Sequence, residues 1–203
     1  MANFKTHITV AAGVGATIGM YGMYAYNLSP FDAIMIVSLF SLGGLLPDID
    51  IVNSKINKLL FSWIFIVSSL SYLFSVKVIN KKSILMVLAI FILIIILRLI
   101  IQKKCKHRGI IHSIPIGIFM STMPAYCMYK FNINSHYIIV LSSLFFGFII
   151  HLILDEIYSV DLRNMRIRKS FGSAFKFKTN NFNFTVIAYF LAASGIILIY
   201  NLR

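Results

Sequence analysis

Seven stretches of this chain, at 8–26, 31–47, 58–76, 83–101, 110–129, 136–155 and 184–201, are apolar over nearly their whole length. About 20 such residues in helical form cross the hydrocarbon core of a bilayer, where the backbone has to satisfy its own hydrogen bonds. A chain built this way is confined to an all-α, polytopic membrane helix bundle. With 59% hydrophobic and 12% charged residues and a mean hydropathy of +0.87, too little polar surface remains to cover a soluble fold. The first stretch has no small-residue cleavage site and is followed by further spans, so it reads as a span rather than a removable signal. No repeat or low-complexity tail interrupts the pattern, which predicts a single integral membrane domain over 1–203 with a basic loop at 156–183.

The punctuation between stretches is clear: Asn27-Leu28-Ser29-Pro30, Pro47, Lys77 to Ser83, and Gln102 to Arg108. Gly13, Gly15, Gly19 and Gly22 give the first span small residues that suit close helix contact in lipid. Serines in the third stretch and Pro115 and Pro124 in the fifth allow a kinked or re-entrant segment. The net charge of +13 does not indicate a specific nucleic-acid partner, because Lys and Arg are interspersed between spans, where they set topology and meet anionic lipid. Counting crossings, Lys77, Lys81, Lys82, Lys130 and Arg203 fall on one side and the other fourteen of the 19 Lys and Arg on the side of the amino terminus. The positive-inside rule makes that side cytoplasmic and leaves the carboxyl terminus outside. Cys105 and Cys127 are too few for a disulfide framework or a thiolate metal site.

The same crossing count gathers the titratable residues at one face. His7, Asp48 and Asp50, His107 and His112, and His151 with Asp155 all stand at cytoplasmic ends of spans. Such groups near hydrocarbon are costly and mark a functional site, and imidazole with carboxylate is a donor set for divalent transition metals. His151 and Asp155, at i and i+4, share one helix face. Asp48-Ile49-Asp50 follows a proline at a span end, where a turn can converge both carboxylates on one ion, or where they can cap a helix or face solvent. His107 falls in a loop and His112 in the first turn of the fifth span, as ligands or as a solvated and a hydrogen-bonded histidine.

Seven N/O ligands exceed the three that a catalytic zinc takes. The excess points to two metal ions of the kind that act on phosphoesters, zinc first, with manganese or magnesium as alternatives. Asp50, Glu156 and Arg108 are the candidates for the chemistry itself: Glu156 as a general base or ligand-orienting group, Arg108 as a phosphate contact. Ser113 suits orienting a ligand better than acting as a nucleophile.

Taken together, Thr6-His7, GGLLPDID, HRGIIHS, HLILDE and the later RIRKSFGSAFK resemble the YdjM-like family of membrane-bound metal-dependent hydrolases, also described as LexA-binding and inner-membrane-associated, over roughly 6–178. The resemblance implies a bacterial inner-membrane location, a divalent metal and hydrolase activity. It places His7, Asp48, Asp50, His107, His112, His151 and Asp155 at the family's His/Asp positions. The stretch Ser170–Lys176 also matches, and a loop over the site is one role for it.

The reading is therefore a metal-dependent hydrolase at the cytoplasmic membrane face, acting on a phosphoester of a lipid or lipid-linked substrate. A histidine-nucleophile lipid phosphatase is excluded, because position 145 is Phe145 where that chemistry needs an arginine, and no Arg-Pro occurs. The non-enzymatic alternatives are a metal transporter or sensor and a scaffold for a cytosolic protein partner docking on the 156–183 loop. A transporter would carry its polar groups mid-membrane rather than at one end.

Overall fold

The computed structural model describes residues 3–50, 57–58, 61–62, 65–66, 69, 80–104, 110–130, 136–161, 166–167, 176–178 and 182–201. Its contacts divide the chain into two compact units, Met1–Pro47 with Arg108–Arg203, and Asp48–His107.

The first unit begins with helix α1 (Phe4–Tyr26). Asn3 caps it by accepting from the Thr6 amide at 2.9 Å, and Asn27 ends it in the left-handed region at a φ of 52°. The buried face of α1 is the stripe His7, Ala11, Gly15, Gly19 and Gly22, one residue per turn. Three of the four glycines singled out in the sequence lie on it; Gly13 does not, and an added methyl there would meet nothing within 4 Å. Helix α2 (Pro30–Gly43) packs along this stripe, with Gly19 against Ala33 and Gly15 against Phe40. Its start is fixed by a capping box in which Ser29 and Asp32 each accept from the other's amide at 3.1 Å, with Pro30 in the first turn.

Helix α2 stops four residues short of the expected 31–47 span. The Gly43-Gly44 pair turns the chain, and Pro47 lies in the short 3-10 stretch Leu46–Asp50. Fourteen residues extend about 21 Å, well under a hydrocarbon core of about 30 Å.

Helices α4 (Ile114–Lys130), α5 (Tyr137–Ile157) and α6 (Phe182–Tyr200) complete the unit, and α3 belongs to the other. The packing order is α1 on α2, α2 on α5, α5 on α4, and α4 on α6, with α1 also reaching α5. Pro115 sits in the first turn of α4, where its missing N–H costs nothing, and Pro124 lies inside the helix. Between α5 and α6, β1 (Val160–Asp161) and β2 (Arg166–Ile167) form a two-residue antiparallel pair, and Lys176 makes a parallel bridge to Ser113.

The tightest approach is between α2 and α5. A Cβ on Gly147 would overlap the Phe40 carbonyl and crowd Gly43, and one on Gly43 would overlap the Leu144 carbonyl. Backbone meets backbone here, as close packing in lipid requires. On either side of this crossing α5 buries Val140, Leu144, Phe148 and Leu152, along with His151 and Asp155.

In the second unit α3 (Lys81–Lys104) is a long apolar helix, begun by Asn80 accepting from the Ser83 amide at 3.1 Å. The expected third span, 58–76, lies largely outside the described residues. Among the described residues, four helices are long and apolar enough to cross a membrane: α1, α3 over Lys81–Ile100, α5 and α6. Large side chains on them, such as Leu85, Phe91, Leu99, Phe182 and Phe190, are exposed, which suits a lipid rather than an aqueous surround.

Gly147→Ala is expected to lower stability by about 1–3 kcal/mol through overpacking, read as a lower thermal midpoint in detergent. Gly13→Ala is expected to cost nothing. Equal midpoints for Gly147→Ala and wild type would remove this crossing as a constraint on the fold.

Candidate metal centre

Where α1 begins and α5 nears its end, the buried stripes of both helices turn polar. Small residues on α1 and mainly apolar ones on α5 give way to His7, His151 and Asp155, and the 3-10 turn Ile110–His112 brings His112 beside them. All four are removed from solvent, at 2, 0, 1 and 0% exposure respectively. The i, i+4 spacing of His151 and Asp155 does what the sequence expects of it, since both fall on the face that α5 turns to its neighbours.

The geometry of His151 is the most informative. Its Nδ1 lies 2.7 Å from the Gly44 carbonyl oxygen, so Nδ1 carries the proton and donates. In the neutral ring that leaves Nε2 as the lone-pair nitrogen, and it lies 3.9 Å from Asp155 Oδ2. An imidazole whose far N–H is held by a backbone carbonyl is the arrangement of metal-binding histidines, because it fixes both tautomer and ring plane. His7 stacks on His151 with centroids 3.8 Å apart and planes 12° from parallel, and its Nε2 lies 3.5 Å from Asp155 Oδ1. The His112 ring meets His151 edge-on at 5.5 Å.

Separations of 3.5 and 3.9 Å are long for hydrogen bonds between imidazole and carboxylate. They are close to ligand-to-ligand distances about one ion. Two N/O donors at bond lengths of 2.0–2.1 Å in a tetrahedron stand about 3.4 Å apart. One donor atom from each of His7, His151 and Asp155 lies within 4.8 Å of the other two. His7 Nδ1 is buried and has no hydrogen-bond partner among the described residues, a cost that a ligand would remove. The donor set therefore fits a divalent metal ion.

The other sequence candidates stand as follows. Asp48 opens the second unit in the stretch Leu46–Asp50 and is 7% exposed. Asp50 closes that stretch, and its side chain lies outside the described residues, as do His107 and Arg108. Glu156 is half-buried and lies about 100° around α5 from Asp155, off the stripe that holds the cluster. Of the Ser170–Lys176 stretch only Lys176 is described; its carbonyl accepts from the Ile114 amide at 3.0 Å, which brings the end of that stretch alongside Ser113, next to His112.

Sequence reasoning had not found the part played by Gly44, whose carbonyl orients His151, nor that of Gly43 and Gly147, which bring α2 close enough to supply it. Paired glycines directly before the LLPDID motif were the available signal.

The family model described as YdjM inner membrane protein matches residues 1–200. The chain belongs to the YdjM family of inner membrane proteins. That membership agrees with the lipid-facing surface of its helices, and the protein is a membrane protein. No curated protein and no solved structure matches the chain.

The cluster makes a direct prediction. Purified in detergent and analysed by elemental mass spectrometry, the wild type should retain a divalent metal, and His7→Ala, His151→Ala and Asp155→Ala should each lose it. His136→Ala, at the amino-terminal cap of α5, should keep it. Metal retained equally by all of these variants would show that it is bound elsewhere.

Proposed function

We propose that this protein is a metal-dependent hydrolase of the bacterial inner membrane whose His/Asp centre acts on a phosphoester of a lipid or lipid-linked substrate. The observation that carries the reading is the oriented His151. A buried histidine with its Nδ1 proton committed to Gly44 and its Nε2 turned toward a buried carboxylate is prepared to hold an ion. His7, His151 and Asp155 would hold the metal, with His112 beside them. Asp48, Asp50 and His107 join the ligand set from their sequence motifs, which would raise the site to two ions. A divalent metal supplies Lewis acidity toward a phosphoryl oxygen and lowers the pKa of water.

The chain's own residues account for the remaining requirements. Gly44 fixes the tautomer of His151. The surrounding Leu152, Leu154 and Phe148 keep bulk water from the carboxylate, which strengthens its hold on a cation. Glu156, next to Asp155 in the chain, would serve as the general base or a ligand-orienting group, and Arg108 as the phosphate contact expected from its neighbours in HRGIIH. The substrate is taken to be a lipid phosphoester because the helices bearing the site present apolar flanks to the bilayer.

The orientation follows the charge count: seven crossings, the amino terminus and the centre cytoplasmic, and the carboxyl terminus outside. An even number of crossings would return the carboxyl terminus to the cytoplasm.

Two measurements test this. A periplasm-dependent alkaline phosphatase fused after Arg203 should be active, and an inactive fusion with an active cytoplasmic reporter at the same place would contradict the seven-span arrangement. Hydrolysis of phosphomonoester and phosphodiester lipids should depend on added metal, and it should fall by at least about 10³-fold in Asp155→Ala and Asp48→Ala, the scale of losing an electrostatic catalytic group. Stoichiometric metal with no ester hydrolysed would turn the reading to a metal-binding protein without turnover.

A further inference from the structure

An arginine stands alone in the apolar run of α3, in the sequence Ile95-Ile96-Leu97-Arg98-Leu99-Ile100-Ile101. Its setting in the second unit is built rather than accidental. Arg98 Nε donates to Asn57 Oδ1 at 2.7 Å, and Asn57 Nδ2 donates to the Ile49 carbonyl oxygen at 2.5 Å. Asn57 is fully buried, at 0% exposure, so its amide is locked with the oxygen toward the guanidinium. We infer that Arg98 is a phosphate-binding residue that seats the headgroup of a lipid phosphoester beside the Asp48–Asp50 turn.

Three observations lead there. First, charge: asparagine is neutral, so the hydrogen bond orients Arg98 without balancing it, and among the described residues the guanidinium makes no other hydrogen bond and no ion pair. A cation inside an apolar segment is costly until an anion or water meets it. Second, shape: with Nε engaged, both Nη groups remain, a planar fork whose geometry matches two phosphate oxygens. Third, place: Arg98 is six residues before Lys104 at the end of α3, about 9 Å along the axis. That puts it within two turns of the helix end, the part of a span nearest the headgroup phosphates. Lys58, directly after Asn57 in the chain, is exposed and adds a positive charge.

The relay also ends at an informative atom. The carbonyl that Asn57 grips belongs to Ile49, the residue between the two aspartates of the LPDID turn. The guanidinium that would hold the anion is therefore two hydrogen bonds from the turn that carries both carboxylates. Carboxylates alone repel a phosphate, and a cation fixed to their own backbone removes that obstacle. The inference rests on the reading of the protein as a metal-dependent hydrolase of a lipid phosphoester and supplies that reading with the residue that seats the lipid's phosphate.

The test is lipid binding followed by native mass spectrometry on the full-length, zinc-loaded protein in detergent. The probes are phosphatidate, phosphatidylcholine as a zwitterionic comparison, and inorganic phosphate as competitor. Arg98→Gln should weaken phosphatidate binding by about 10- to 100-fold, the range for losing charge-assisted hydrogen bonds. Arg98→Lys should fall between, since it keeps the charge and loses the fork. Asn57→Leu should weaken binding while leaving the net charge unchanged. Lys82→Gln, the same loss of charge at the far end of α3, should leave binding as in wild type. Phosphatidate affinity that is unchanged in both Arg98→Gln and Arg98→Lys, or lowered equally by Lys82→Gln, overturns the inference. Should Arg98→Gln fail to fold, equal affinity in Arg98→Lys and wild type overturns it by itself. Competition by inorganic phosphate as strong as by phosphatidate would overturn the lipid as the source. Metal content separates the two readings: a protein without metal that still loses phosphatidate with Arg98→Gln sinks the hydrolase and keeps the lipid seat.

Discussion

Gly43 and Gly147 let the backbones of α2 and α5 touch, and the orientation of His151 depends on that contact. The Gly44 carbonyl follows directly on Gly43, and it reaches the His151 ring one turn beyond Gly147 on the same helix. A methyl group at either glycine would push the helices apart by more than a 2.7 Å hydrogen bond tolerates. The imidazole would then lose its acceptor, and the choice of which nitrogen presents a lone pair to Asp155 would no longer be made by the fold. A packing constraint in the apolar layer thus becomes a protonation constraint in the polar one.

Lipid sharpens this coupling. Apolar side chains gain little by leaving lipid for another helix, so association rests on close contact and on polar groups that find partners inside. The stripe on α1 shows both: Ala11, Gly15, Gly19 and Gly22 bring α2 close, and His7 at the head of the same stripe is carried against His151. The polar cluster and the small-residue seam are therefore consecutive parts of one helix face. The seam brings the helices together and the cluster occupies its end, where the chain turns at Gly43-Gly44 and at Ile110–His112.

Much of this was legible in the sequence because it depends on spacing. The i, i+4 pair on α5 and the glycines at 15, 19 and 22 follow the helical period, and helical period survives any tertiary arrangement. What was not legible depends on backbone atoms or on where a helix stops. Gly44 acts through its carbonyl, which every residue has, so no side chain announced it. Helix α2 reads as apolar through Leu46, and its end at Gly43 is set by the turn rather than by hydropathy. The seven-span count and the positions of His107, Arg108 and the Asp50 side chain rest on segments outside the described residues. Arg98 was readable as a charge and was assigned to topology; its partner Asn57, 41 positions away in sequence, was what gave it a second meaning.

The placement of charge also bears on what kind of membrane protein this is. A translocation path needs polar groups at successive depths, so that an ion is never far from the next partner. In the first unit His7, His112, His151 and Asp155 form one group, and the buried face of α5 on the amino-terminal side of His151 holds no ionisable residue, only Phe148, Gly147, Leu144, Ser143 and Val140. The next titratable pair, Asp32 with His136 at 3.0 Å, is at the far end of the helices, with the apolar length of α5 between. An ion at the histidines would meet Phe148, at 0% exposure, as the first obstacle to crossing. A donor set closed off by packed hydrophobic side chains would hold an ion at one level of the membrane, as the proposed hydrolase needs and a translocation path does not.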